Sequence, residues 1–186
     1  MTIRQLDLTT SFGLRWVNSR TIGHFISTLG DKSFSENVFS VFITNEQSKY
    51  EIDAAQIELA VNQVVEEAGV VTGDVSVAVV DDPTIHQLNI EYLNHDYPTD
   101  VISFVFERED EHLEGEIIVS VDTAVELAKD YQWNWEFEFL LYVIHGCLHL
   151  VGYDDKNADA KVLMQEAERR HLERFGIEHR VEPPNK

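Results

Sequence analysis

The amino-acid sequence predicts an α+β domain, a mixed four-stranded sheet with about five helices. Two observations lead there. Strand-like and helix-like segments alternate through the first part of the patterned region, and helical periodicity then dominates toward the C-terminus. The size agrees, because 186 residues with 44% apolar and 26% charged side chains suit one soluble core.

Residues 1–35 lack that periodicity. Thr9, Thr10, Ser11, Gly13, Asn18, Ser19, Gly23 and Gly30 break up isolated apolar residues, so this stretch reads as an N-terminal extension. Val38 to Ile43 is apolar and β-branched, a strand. Asp53 then opens a helix, with Gln56 placed as in a capping box. Ile57, Ala60, Val61, Val64, Val65 and Ala68 share one face of it, and Gly69 ends it. Val75, Val77 and Val79 alternate as in a half-buried strand. Asp82 followed by Pro83 reads as the N-cap and first turn of a short helix through Leu93.

Val101 to Phe106 and Ile117 to Val121 read as an antiparallel pair. The acidic stretch holding Glu107, Glu109, Asp110, Glu111 and Glu114 is expected to form the loop between them. Asp122 is placed to cap a helix to about Tyr131. A second helix runs from Trp135 to Val151 and stops at Gly152; a last one covers Asn157 to Phe175 and stops at Gly176. The domain therefore spans residues 36–176, and residues 177–186, with Pro183 and Pro184, form a tail.

Composition excludes several classes. Cys147 is the only cysteine, so no disulfide framework exists. No apolar run reaches the roughly 18–20 residues of a membrane helix. Arg4, Asp7, Arg15 and Arg20 interrupt any leader-like stretch, so a cytoplasmic location is expected, with no membrane partner. The 34 acidic and 14 basic residues give a net charge of −20. A broad basic face for gripping a duplex is incompatible with that balance, and DNA is not expected as a partner. An anionic substrate must be held locally, by a metal or a few cationic side chains.

The helix ending near Val151 carries the chemistry. Phe137, Phe139, Leu140, Leu141, Val143, Ile144, Leu148 and Leu150 make it apolar nearly all round, so it should be buried. His145 and His149 lie four residues apart, which at about 100° per residue puts them on one face. Two imidazoles so placed can share a metal ion. Buried histidines bonded to backbone show the same spacing, so a third ligand decides. After Gly152 the chain turns into Tyr153, Asp154 and Asp155, and a carboxylate there can fold back. Two histidines and one carboxylate leave an open position, as catalytic zinc sites require. The position after His145 is Gly146, so the glutamate base of His-Glu-x-x-His peptidases is missing. Cys147 points away from both histidines and reads as core. Trp133 and Trp135 read as packing residues, and His24, His86, His95, His112, His171 and His179 as surface residues.

The run His145-Gly146-Cys147-Leu148-His149-Leu150-Val151-Gly152-Tyr153-Asp154 closely resembles the signature of the YbeY family of endoribonucleases. The resemblance continues in Leu88-Asn89, Tyr92, the stretch Pro98 to Phe104, Met164 and Glu168, and covers about residues 38–175. It implies a zinc ion on His145, His149 and a third ligand at position 155, a histidine in the family and Asp155 here. Aspartate is a competent ligand, and two histidines with a carboxylate also suit iron or manganese. Asp154 is the alternative ligand, otherwise a residue that orients a ligand or caps the turn; Asp100 and Ser103 are candidates to line the cleft. A second departure is Leu93, where the family has an arginine associated with phosphate binding. Lys156, Lys161 and Arg108 are the nearby candidates to compensate, and sequence alone does not place them. Glu116 and Val105 replace a family aspartate and proline and read as structural.

The resemblance implies a metal-dependent, single-strand-specific endoribonuclease acting in ribosomal RNA maturation and ribosome quality control. Its partners would be single-stranded or ribosomal RNA and the small ribosomal subunit with its proteins. The expected reaction is in-line attack on a phosphodiester by metal-activated water or by the RNA 2′-hydroxyl. Two other readings fit the residues: a non-catalytic ribosome-assembly factor with a structural metal, and a hydrolase of another phosphoester.

Overall fold

A computed structural model describes residues 6–7 and 39–180. The remainder of the N-terminal extension, and residues 181–186 of the tail, lie outside the described residues. The elements run β1 (Leu6–Asp7), β2 (Ser40–Asn45), α1 (Ala54–Glu67), β3 (Thr72–Val80), α2 (Asp82–Leu93), β4 (Val101–Glu109), β5 (His112–Ser120), α3 (Val121–Tyr131), α4 (Trp135–Leu150) and α5 (Ala158–Glu173). The four expected strands form a mixed sheet in the order β4-β5-β3-β2, and the two residues of β1 add to its β4 edge. β2–β3 and β3–β5 pair parallel, and β4–β5 pair antiparallel.

The two faces of the sheet are covered differently. α1 and α4 pack on the face built by Val75, Val77, Val101, Val105 and Ile117, with α5 behind them. α2 covers the other face over Ile102, Phe104 and Ile118, using Ile85 and Leu93. β4 is therefore buried on both sides over Val101–Val105, which explains a run that is apolar apart from Ser103.

α4 is the centre of the molecule. Every residue from Glu138 to Leu150 is buried, as expected of a helix apolar all round. Its approach to the sheet depends on Gly146. A Cβ there would stand 2.8 Å from Val101 Cγ2, 2.9 Å from Ile117 Cγ2 and 3.1 Å from Ser103 Oγ. Cys147 is fully buried, and burial pushes its thiol pKa up, so it is core as expected. Trp135 packs on Tyr50 and Trp133 on Phe137.

Several boundaries differ from the sequence reading. α2 is capped by Asp81, whose Oδ1 accepts from Thr84 N, and Asp82 becomes its first residue. Asp82 Oδ1 instead accepts from Ser120 Oγ at 2.5 Å and Thr123 Oγ1 at 2.6 Å, tying α2 to the start of α3. Ser120, not Asp122, caps α3. The acidic stretch is not a loop: β4 and β5 extend through it, and only Asp110 and Glu111 turn, with Asp110 at φ 35°. Ladder hydrogen bonds continue past the apolar core because the charged side chains there face solvent. His171 is a further correction. It is buried, since it lies on the inner face of α5 with Met164, Ala167 and Glu168. Helical periodicity carries it inward although its spacing matches no other histidine.

Candidate metal centre

The stripe of α4 that turns toward α5 and the chain end carries Glu138, Tyr142, His145 and His149 at helical spacing. His145 and His149 are both almost fully buried, with Nε2 atoms 3.1 Å apart. Each ring is fixed through its other nitrogen. His145 Nδ1 donates to Glu168 Oε1 of α5 at 2.5 Å. His149 Nδ1 donates to the Tyr153 carbonyl at 3.0 Å. Both partners are acceptors, so both Nδ1 atoms carry the hydrogen and the two Nε2 lone pairs face each other. Lone pairs at that distance repel unless a proton or a cation lies between them.

The turn supplies the third donor. Gly152 sits at φ 100°, and Tyr153 N donates back to the Leu148 carbonyl, closing α4 as a glycine-dependent C-terminal cap. That reversal brings Asp155 over the histidines. One ligand atom from each of His145, His149 and Asp155 lies within 4.8 Å of the others. Asp155 Oδ1 is buried and has no hydrogen-bond partner among the described residues. A buried carboxylate oxygen without a donor is costly, and it lies beside two unprotonated imidazole nitrogens. The donor set, the converging lone pairs and the orphaned oxygen fit one divalent cation. Asp154 is half-exposed; its Oδ1 accepts from Asp155 N at 2.9 Å, so it holds the turn.

Electrostatics reinforce the arrangement. Burial opposes charge on His145, but the Glu168 carboxylate outweighs it and raises the pKa. Burial likewise works against the Glu168 carboxylate, yet the imidazoles of His145 and His179 overcome it and hold its pKa at about 2. Glu168 is thus an anion buried beside His145, placed as carboxylates are behind metal-bound histidines. Burial and the neighbouring His145 lower the His149 pKa.

The remaining candidates separate by place. Asp100 is buried at the start of β4, where its Oδ1 accepts from Thr99 Oγ1 and Val101 N, and its charge acts on His145. Ser103 is fully buried and donates to the Gly146 carbonyl at 2.9 Å, binding β4 to α4. Leu93 packs on the other face of the sheet and offers no substitute for a guanidinium. Lys156 lies 3.5 Å from Asp154, and Arg108 donates to the Leu150 carbonyl. Glu116 is half-buried on the α2 face, away from the histidines. Burial, helped by Glu46, pushes its pKa up to about 7.

Sequence reading gave no role to Glu138 or Arg180, and His179, read as a surface residue, is half-buried with Nε2 3.7 Å from Glu168 Oε2. Arg180 Nη1 reaches Glu138 Oε1 at 3.2 Å, and its guanidinium lies 3.9 Å over the Tyr131 ring. Ile177, just before them, is buried, so the start of the tail packs onto the domain. A glutamate amid the apolar residues of α4 was the available signal, because a buried carboxylate demands a cation. A second trio, Glu107, His112 and Glu114, gathers at the solvent-facing end of the β4–β5 pair.

Comparison with known proteins places this geometry. The family model described as Endoribonuclease YbeY matches residues 42–176. An Endoribonuclease YbeY of Rhodopirellula baltica is 43% identical over 131 residues, covering 68% of each chain. Those of Salinibacter ruber and Carboxydothermus hydrogenoformans are each 36% identical, covering 70% and 73% of this chain and 88% and 97% of theirs. The solution structure of TM1509 from Thermotoga maritima is similar with a TM-score of 0.52 at 26% identity, covering 74% of this chain and 92% of that one.

Proposed function

Because the chain belongs to the Endoribonuclease YbeY family, we propose that it cleaves single-stranded RNA in ribosomal RNA maturation, using a zinc ion on His145, His149 and Asp155. The observation that carries the site is the orphaned Asp155 Oδ1 beside two facing Nε2 lone pairs. The domain over residues 36–176 is the working unit, acting in the cytoplasm on RNA of the small ribosomal subunit. Among the described residues no helix is long and apolar enough to cross a membrane.

When bound, a divalent cation supplies Lewis-acid polarisation of a phosphoryl oxygen and acidifies water. The chain's own residues do the rest. Glu168 and the Tyr153 carbonyl lock both imidazoles with Nε2 turned inward, so no reorganisation is needed when ligands are engaged. The buried walls of α4 and α5 exclude bulk water from the rear of the site. Asp155 replaces a neutral ligand with an anion. It lowers the net charge of the occupied site and makes water there less acidic than three histidines would.

The test is cleavage of labelled single-stranded RNA by protein of defined metal content. Wild type is expected to cleave, and His149→Ala and Asp155→Ala to lose both the bound ion and at least a hundredfold of the rate while staying folded. Equal cleavage by His149→Ala would refute the metal-centred reading.

A further inference from the structure

The cation that binds RNA has to be found elsewhere than at Leu93, and the net charge of −20 requires it to be local. Most described cations are engaged. Arg170 and Arg174 both pair with Glu67, Arg169 with Glu173, Lys49 with Asp122 and Lys129 with Glu126. Lys161 is different. It is exposed on α5 and forms no ion pair among the described residues. It lines an open cleft with mixed polar and apolar walls together with Thr99, Asp100, Tyr131, Tyr142 and Arg180.

That cleft adjoins the metal centre. Tyr142 stands one turn before His145 on the same stripe of α4, about 4.5 Å along its axis. Asp100, in the cleft wall, acts electrostatically on His145. His179, next to Arg180, lies 3.7 Å from Glu168, the carboxylate that orients His145. The charges of the cleft are arranged unequally. Asp100 turns its Oδ1 inward to Thr99 Oγ1 and Val101 N. Glu138 is fully buried under Arg180 and balances it. Among the described residues Arg180 Nε and Nη1 make no hydrogen bond, Nη1 meeting only the ion pair with Glu138, although the side chain is only 9% exposed. The cleft thus holds a fixed guanidinium short of acceptors and one unpaired ammonium at its rim. Phosphate oxygens are the acceptors that suit both.

We infer that this cleft binds the phosphate next to the scissile bond, with Lys161 and Arg180 as its ligands, in place of the arginine that Leu93 removes. The assignment rests on the nuclease reading for its substrate. Lys161 and Arg180 are substrate-binding residues here, and neither touches the reacting atoms.

The test is the affinity of wild type, Lys161→Ala and Lys129→Ala for a labelled 2′-O-methyl single-stranded RNA, by fluorescence anisotropy across salt concentrations. Lys161→Ala is expected to weaken binding roughly fivefold for every sequence tried, with unchanged metal content. It should also shift the slope of log affinity against log salt by about 0.7, as the loss of one contact to single-stranded phosphate requires. Lys129→Ala, paired on α3, should match wild type. Arg180→Gln combined with Glu138→Gln removes the guanidinium without stranding a buried carboxylate, and should weaken binding as well. Wild-type affinity in Lys161→Ala, or no binding by wild type, overturns the assignment. Cleavage of unmodified RNA in parallel separates the two readings. Cleavage with an unchanged KM in Lys161→Ala rejects the cleft and keeps the nuclease; Lys161-dependent binding without cleavage does the reverse.

Discussion

Glu168 shows what a single residue contributes behind His145, a proposed metal ligand. Its carboxylate is buried, holds His145 Nδ1 at 2.5 Å and is 3.7 Å from His179 Nε2. Replacing it with glutamine keeps an acceptor for the imidazole and removes the charge. The imidazole then becomes a weaker donor to the cation, and its ring is held less firmly. Outer-shell carboxylates of this kind are worth about 10- to 100-fold in metal affinity. Glu168→Gln is therefore expected to give up its ion to a competing chelator at correspondingly lower chelator activity, with secondary structure intact. An affinity equal to wild type would show that Glu168 serves packing alone. The residue was visible in the sequence as part of the family resemblance, but its role was not. Spacing along α5 cannot say which residue of α4 it meets.

At the scale of elements, the contact between α4 and the β4–β5 pair sets the site, and Gly146 sets the contact. Alanine at that position would force its methyl against Val101, Ile117 and Ser103. The helix must then move outward or the strands deform, at a cost of about 1–3 kcal/mol. Denaturant unfolding of Gly146→Ala should read that loss, and the shifted helix should also lose the Ser103 to Gly146 hydrogen bond. Gly146 thus accounts for the missing peptidase base, since close packing leaves no room for a glutamate. Legibility of the fold follows the same division. α1, α4 and α5 were readable because apolar periodicity is a local property of each segment, and the His145–His149 pair because four residues fix a face. The hairpin between β4 and β5 was misjudged because its charged residues belong to the ladder by pairing, which composition does not encode. Ser120 displaced Asp122 as a cap because the end of β5 leads straight into α3. Glu138 with Arg180 was missed because the partners lie on segments whose meeting depends on the whole packing.

For the whole molecule, the charge of −20 shapes both encounter and stability. Repulsion of RNA acts at long range, while the attraction proposed for Lys161 and Arg180 acts at contact. Salt screens the first before it weakens the second, since the Debye length falls from about 30 Å at 0.01 M to about 8 Å at 0.15 M. The association rate with single-stranded RNA should therefore rise over that range, opposite to a basic RNA-binding protein. Stopped-flow fluorescence decides it, and a falling rate would mean that a cationic surface dominates.

Glu116 carries the same acidity into the interior. Its folded pKa is about 7, raised first by burial and then by Glu46, against 4.5 for the free side chain. The folded state holds this proton after the unfolded chain has released it. Below about pH 4.5 both states are protonated and the group contributes no pH dependence. As pH rises from there to about 7 the unfolded state is favoured progressively, and above 7 the loss is complete. A shift of this size corresponds to roughly 3–4 kcal/mol in full, of which roughly 2–3 kcal/mol falls between about pH 5 and pH 8. Urea unfolding at about pH 5 and pH 8 should show wild type losing about that much relative to Glu116→Gln. RNA cleavage by the variant should be unchanged, because Glu116 faces α2 across the sheet from the histidines. Parallel pH profiles of stability in the two proteins would mean that Glu116 is solvated and that the cleft beneath α2 is open to water.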